Sequence, residues 1–323
     1  MLYPLKFSPI LKDKIWGGTK LKSLFGKDAQ TDKLGESWEL SGYEGDESVV
    51  TNGILAGNNL TELIEVYMGE LVGDKIFDEY GLSFPLLFKL IDANENLSIQ
   101  VHPGDEVAAE RHNSYGKTEM WYVIDADKDA ELIIGFTKDC TREEYLSALA
   151  TDKVEDLLQK VPVTKGDVLY IPAGLVHAIG KGIVVAEIQE SSDITYRIYD
   201  YKRTDDKGKE RELHTDQALD VIDFSASKNP KISYKPEINE IVKLVQCDYF
   251  TTNVVNIDKA VTRNYSSIDS FVAYMCLEGN FIIEYDNEKT IVNKGDTILI
   301  PACIDEVTLI PDNKVTLLEI YIE

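Results

Sequence analysis

The sequence is short of imidazole, of thiol and of positive charge. It has four histidines and four cysteines in 323 residues, and 33 basic against 57 acidic side chains, for a formal net charge of −24. A polyanion needs a basic field to meet it, so this balance excludes nucleic acid as a partner. An anionic small molecule must instead find Lys and Arg gathered inside a site. The cysteines (Cys140, Cys247, Cys276, Cys303) are scattered and form no C-x-x-C pair. That fits buried thiols in a reducing cytosol better than a disulfide framework or a thiolate metal site. No window approaches 18 uncharged apolar residues, which excludes a membrane-spanning helix. The first residues lack a basic segment followed by an apolar run of signal-peptide length. The expected location is cytoplasmic, as a monomer or a homodimer.

What is present is globular: 44% hydrophobic residues with 9% aromatics, enough for about two domains of roughly 150 residues. Residues 1–58 carry Gly-rich turns and read as short strands, with Trp38 and Leu40 facing one way. Leu60, Leu63, Ile64, Tyr67 and Leu71 recur at helical spacing, predicting a helix over about 59–80, capped at Asn59 or Thr61 and broken near Gly69 or Gly73. Residues 84–91 form an apolar strand run holding one lysine, Lys89. Thr141 with Glu144 makes a capping box, and Tyr145, Leu149, Val154, Leu157 and Leu158 form a stripe, predicting a helix over about 141–160. Residues 183–188 read as an apolar strand and 205–209 as a charged turn. The Ser-, Lys-, Asn- and Pro-containing stretch 225–236 is the most linker-like, giving domains 1–230 and 231–323.

The turn Thr164-Lys165-Gly166-Asp167, followed by Ile171-Pro172-Ala173, has a twin in Asn293-Lys294-Gly295-Asp296 and Ile300-Pro301-Ala302, 129 residues later. Strand pairs of similar character precede both. The fold expected is therefore mainly β, two barrels from an internal duplication, with a few helices inserted in the first. The copies differ in chemistry. Five residues after Pro172 stands His177, but five after Pro301 stands Glu306, and all four histidines precede the second copy.

In a strand, alternate side chains share a face. Ser98, Gln100 and His102 therefore project together, as do Lys117 and Glu119. With His177 after its Pro-Ala-Gly turn, two imidazoles, a carboxylate and an amide oxygen can close around one divalent metal, zinc being well suited and iron or manganese also compatible. Singly, each residue has a plain structural reading, and a lone strand histidine is most often only hydrogen-bonded. The case rests on two polar i, i+2 pairs in apolar strands plus a histidine in the same repeat. A divalent ion would leave the site near +1, suited to polarising a carbonyl or hydroxyl. His112, on a polar helical turn, and His214, in a loop, read as non-ligands. Trp16 and Trp38 read as core anchors.

The segments Ile15-Trp16-Gly17-Gly18, Gly35-Glu36-Ser37-Trp38-Glu39, Leu97-Ser98-Ile99-Gln100-Val101-His102-Pro103, Gly116-Lys117-Thr118-Glu119-Met120-Trp121-Tyr122, the run from Ile171 to Ile179 and Thr195-Tyr196-Arg197-Ile198-Tyr199-Asp200, in this order, resemble the short bacterial form of type I mannose-6-phosphate isomerase, a family built on the cupin jelly-roll barrel. The resemblance covers essentially the whole chain. It implies one zinc ion per chain on Gln100, His102, Glu119 and His177, with the second barrel free of metal ligands. It implies an active-site arginine at Arg197 with Asp193 four residues before it, lysines at Lys89 and Lys117, and a phosphate-contacting serine at Ser98. The reaction implied is reversible aldose–ketose interconversion of mannose 6-phosphate and fructose 6-phosphate through an enediol(ate). Lys117, Arg197 and Asp193 are then the catalytic group, and Ser98, Lys89 and Arg197 the substrate contacts, the partner being a small sugar phosphate. Two other readings fit the residues: a non-catalytic cupin that binds a sugar phosphate, and a cupin isomerase for another sugar.

Overall fold

The central strands are apolar on both faces, and their surroundings explain why. The computed structural model describes residues 2–204, 208–228 and 230–323; of the charged turn expected at 205–209, residues 205–207 lie outside the described residues. In the first half, strands Val168–Ile171, Glu119–Ala126, Ile183–Glu190, Leu86–Ala93, Leu34–Tyr43 and Ile10–Gly18 lie side by side in that order, all antiparallel. In the second half, Thr297–Ile300, Val272–Glu278, Val315–Tyr321, Thr251–Ile257 and Ile241–Gln246 follow the same order. A smaller sheet closes each barrel. One runs Leu158–Pro162, Glu131–Phe136, His177–Ala178, Ile99–Val101 and Tyr196–Tyr199; the other runs Glu288–Val292, Phe281–Tyr285, Glu306–Pro311 and Val261–Asn264. Apart from Ile10–Gly18 and Tyr196–Tyr199, which have no counterpart among the described strands of the second half, these are two copies of one cupin barrel, as the repeated Gly-Asp turn predicts.

The two large sheets pack face to face. Phe88, Leu90, Met120, Val168, Ala186 and Ile188 share one buried cluster with Phe271, Ala273, Met275, Leu299, Leu318 and Ile320. The opposite faces fill the barrels, with Ile91, Trp121, Val123, Leu169 and Val185 in the first and Val272, Tyr274, Ile298 and Leu317 in the second. A sheet covered on both sides reads as a continuous apolar run. Alternation still decides which side chain goes where. The odd-numbered residues of three neighbouring strands point into the first barrel, and Lys89, Glu119 and Glu187 meet there, all buried.

Trp38 and Leu40 do not share a face. The pairing of this strand with its neighbour slips between them: Trp38 lies opposite Lys89 and Leu40 opposite Phe88. This bulge at Glu39 turns Trp38 over the lysine and sends Leu40 to the seam between the barrels. The helical run 59–80 is three pieces, Leu60–Tyr67, Gly69–Val72 and Asp74–Tyr80. Asn59 and Glu62 form a reciprocal cap at 2.8 Å each way. The second break needs glycine, because Gly73 has φ +104° and a Cβ there would come 2.4 Å from the Asp269 carbonyl. The Asp269 carboxylate then accepts from the N–H groups of Asp74 (2.8 Å) and Lys75 (3.1 Å), tying this helix to the second barrel.

The second predicted helix is shorter than its stripe. Its cap is as expected, with Thr141 and Glu144 bonded reciprocally, but the helix covers only Arg142–Ala150. Asp152 turns the chain at φ +57°, Val154–Leu157 is one 3-10 turn, and Leu158–Pro162 is an edge strand on Glu131–Phe136. Val154 and Leu158 are buried as the stripe requires, but on a turn and a strand, where the small sheet offers main-chain partners that a helix would forgo.

One strand crosses between the halves. Leu5–Ser8 pairs with Thr297–Ile300 (Leu5 opposite Leu299) and with Val49–Val50 (Phe7 opposite Val50), so residues from the beginning of the sequence complete the second barrel's large sheet. Among the described residues no helix is long and apolar enough to cross a membrane.

Candidate active site

The short strand Ile99–Val101 carries Gln100 opposite both His177 and Arg197 in the small sheet. His102 follows that strand, and Glu119 opens the long strand whose inward face also holds Trp121. Five nearby groups meet inside the first barrel. The two Nε2 atoms of His102 and His177 are 3.1 Å apart. The Gln100 amide lies 3.5 Å from one and 3.3 Å from the other. Glu119 reaches to 3.4 Å from His177 Nε2 and 3.8 Å from His102 Nε2. Lys117 Nζ stands 3.8 Å from Glu119 Oε2.

The tautomers follow from the backbone. A carbonyl only accepts, so each Nδ1–H donates: His102 to Ile194 O and His177 to Leu175 O, both at 2.8 Å. Neutral rings then turn unprotonated Nε2 atoms toward each other, with only the Gln100 amide nitrogen as a donor to them among the described residues. Burial, first of all, drives His177 down to about 4 and His102 well below its usual value, with the Lys117 charge adding to both. The rings are therefore neutral at neutral pH, as a ligand must be. Both oxygens of Glu119 are buried with no hydrogen-bond partner among the described residues. Burial, then the charge of Glu187, lifts this carboxyl to about 8; a cation on its oxygens would reverse that. Two facing lone pairs beside a carboxylate that accepts no hydrogen bond there are costly to bury unless a cation lies between them. The donor set of His102, Glu119 and His177 fits one divalent ion.

Beside this cluster, with Gln100 and Lys117 on its wall, lies a cavity of about 250 Å³ also lined by Lys14, Trp16, Glu36, Lys89, Ser98, Trp121, Glu187, Asp193, Thr195, Arg197 and Arg211, among others. Asp193, Thr195 and Arg197 do share one side, as an extended segment requires. Asp193 and Arg197 are not a salt bridge: among the described residues no carboxylate lies within 4 Å of Arg197, which gives one N–H to the Glu212 carbonyl at 3.0 Å. Lys89 is held differently. Its Nζ lies 3.2 Å from Glu187, donates to Gln189 Oε1 at 2.6 Å and sits over the Trp38 ring. Burial alone would lower its pKa, but Glu187 and Glu36 outweigh burial and raise it, so Lys89 is a fixed cation.

His112 and His214 stand apart from the cluster. His112 is exposed and bonded to the Tyr196 hydroxyl; His214 Nδ1 accepts the Arg197 main-chain N–H at 3.0 Å. Trp16 is buried yet lines the cavity. Sequence reasoning missed Glu187, whose Oε2 accepts from the Trp121 indole at 2.8 Å. A lone carboxylate in the run 183–188 is the same signal that exposed Lys89, and it was there to be used. The second barrel keeps this position: Glu319 lies opposite Tyr274 and Asn253 as Glu187 lies opposite Trp121 and Lys89.

A double barrel with a buried imidazole–carboxylate cluster in one copy defines a cupin protein with a candidate metal site. Comparison with known proteins narrows the class. Residues 4–145 match the family model "Phosphomannose isomerase type I, catalytic domain", and residues 240–317 match "Mannose-6-phosphate isomerase, cupin domain". The chain is 38% identical over 313 residues to the mannose-6-phosphate isomerase ManA of Bacillus subtilis, covering 95% of each. It is 37% identical over 305 residues to the mannose-6-phosphate isomerase of Streptococcus mutans, covering 94% of each. The crystal structure of the mannose 6-phosphate isomerase from Bacillus subtilis superposes with a TM-score of 0.86 at 34% identity, over 99% of this chain and all of that one. The chain belongs to the type I phosphomannose isomerase family, and it is an enzyme of the aldose–ketose isomerase kind.

Proposed function

We propose that the protein is a zinc-dependent isomerase interconverting mannose 6-phosphate and fructose 6-phosphate through an enediol(ate), working in the cytoplasm. The observation that carries this is the pair of unprotonated Nε2 atoms on His102 and His177 beside the Glu119 carboxylate, which accepts no hydrogen bond among the described residues, next to a cavity rich in cations. Gln100, His102, Glu119 and His177 would hold the zinc ion. When bound, the ion supplies Lewis acidity toward the oxygens on C1 and C2 of the open-chain sugar.

The protein's own side chains supply the rest. Lys117, buried against Glu119, is the candidate proton carrier between C1 and C2, a role that demands a basic group next to the reacting carbons. Among the described residues Arg197 has no competing carboxylate, which leaves it to meet an anionic substrate, with Asp193 on the same wall to orient hydroxyls. Ser98 and Lys89 complete the substrate contacts, so a dianionic phosphate finds charge inside a chain that repels it outside. A coupled assay with mannose 6-phosphate, before and after chelation and again after adding zinc, tests this. Activity lost on chelation and regained with zinc is expected. Full turnover by metal-free protein would overturn the zinc mechanism, and no turnover by zinc-loaded protein would overturn the substrate.

A further inference from the structure

Arg211 reaches the cavity from a segment that contributes no ligand to the cluster. Its Nε and Nη2 clasp Asp200 at 2.7 and 2.6 Å, a fork-to-fork contact that fixes the plane of the guanidinium. Asp200 is only 4% exposed and also receives Arg203. Burial works against its ionisation, but Arg211 and Arg203 outweigh burial and hold its carboxyl below the usual range. One ionised carboxylate therefore organises two guanidiniums. Nη1 of Arg211, the edge turned from Asp200, makes no hydrogen bond among the described residues.

The neighbouring Arg197 is tied to the same segment through its main chain. It donates to His214 Nδ1 at 3.0 Å, and the His214 N–H returns to its carbonyl at 2.8 Å. Its own Nε is buried without a partner among the described residues. Burial first, and then the positive charge of Arg211, lower its pKa. Two guanidiniums thus crowd one wall of a cavity in which Lys14 faces Glu36 and Lys89 faces Glu187. Like charges are not brought together inside a protein of net charge −24 without cost, and a dianion between them removes that cost.

We propose that Arg211, aimed by its two-point contact with Asp200, is a second phosphate-gripping residue beside Arg197 and a determinant of selection for the phosphorylated sugar. This rests on the sugar-phosphate isomerase reading above. Asp200 is a positioning residue in this scheme, since it touches the substrate only through Arg211. Lysine cannot replace Arg211, because a point charge on a flexible stem has no plane for Asp200 to fix.

The test uses zinc-loaded full-length protein and the variants Arg211→Gln, Arg211→Lys and Asp200→Asn. Calorimetric titration with inorganic phosphate reads the subsite without turnover, and steady-state kinetics with mannose 6-phosphate split KM from kcat. Arg211→Gln is expected to weaken phosphate binding and raise KM by about tenfold or more, a loss of about 1.4 kcal/mol, with kcat within about threefold. Arg211→Lys and Asp200→Asn are expected to fall between that variant and wild type. Phosphate affinity and KM unchanged in Arg211→Gln, at unaltered melting temperature and zinc content, overturn the inference. A fall in kcat at constant KM overturns it too. Phosphate binding that depends on Arg211 in a protein that never turns over mannose 6-phosphate supports the subsite and sinks the reaction instead.

Discussion

His102 and His177 face each other through unprotonated Nε2 atoms at 3.1 Å, each with its Nδ1–H bonded to a main-chain carbonyl. The carbonyls set the tautomers, so the backbone at Ile194 and Leu175 decides that the unprotonated nitrogens point inward. Removing the His177 ring removes a proposed ligand without unsettling the barrel, because its Nδ1 bond is local. His177→Ala is expected to lose bound metal and activity together and to keep the β-sheet circular dichroism of the parent. Metal analysis with an activity assay checks this; metal retained at full stoichiometry would show that His177 is no ligand.

Arg197 is expected to behave in the opposite way. With no acidic partner among the described residues, it has no ion pair there to break, so Arg197→Ala leaves little uncompensated charge behind. Metal content should stay that of the parent while kcat/KM for mannose 6-phosphate falls by about a hundredfold or more, the order expected for losing a charged substrate contact of about 3 kcal/mol. Loss of metal in this variant would mean that the side chain supports the cluster.

Glu190 gives the fold a dependence on pH away from the cluster. Burial first, with Asp105 adding to it, pushes its carboxyl up to about 8, although the Thr118 N–H at 2.6 Å pulls the other way. Between pH 4.5 and 8 the folded protein keeps a proton that the unfolded chain has released. Stability from this group is therefore fully present at low pH and is lost as pH rises through that window. Glu190→Gln removes the dependence: urea unfolding should show almost no gain at pH 4.5 and a gain of about 4 kcal/mol at pH 8. An equal gain at both values would point to packing instead.

In the second barrel the buried carboxylate of Glu319 is met by Arg263 (2.8 Å), the Tyr265 and Tyr274 hydroxyls (2.8 and 3.1 Å) and Asn253 (3.0 Å). Arg263→Ala strands that charge in the interior and is expected to cost about 3–5 kcal/mol, read as a lower unfolding midpoint. Turnover measured well below that midpoint should match the parent, since this barrel holds no histidine. A cost under about 1 kcal/mol would mean that water reaches Glu319.

The duplication was legible from one turn repeated 129 residues apart, and the sheet orders agree for every strand but Ile10–Gly18 and Tyr196–Tyr199. The grouping of Gln100, His102, Glu119 and His177 was legible because polar side chains at every second position of an apolar strand have few other uses. Three things were hidden for physical reasons. The bulge between Trp38 and Leu40 reverses the face of every later residue, yet leaves no mark on hydrophobic spacing. The stripe at Val154, Leu157 and Leu158 fits a helix and a turn-plus-strand equally, and only the main-chain partners on Glu131–Phe136 decide between them. Arg211 lies in a loop with no periodicity, so nothing local links it to Asp200 or to the cavity.

The strand Leu5–Ser8 has a consequence for how the molecule folds. Its two partners lie at very different separations along the chain, Val49–Val50 near and Thr297–Ile300 far. The distant pairing must overcome a large loop-closure entropy, so it is slow to form. Until it forms, Thr297–Ile300 is an open edge of the second barrel's large sheet, its N–H and C=O groups offered to any passing strand. The pairing that joins the two halves is thus also the cap on that edge.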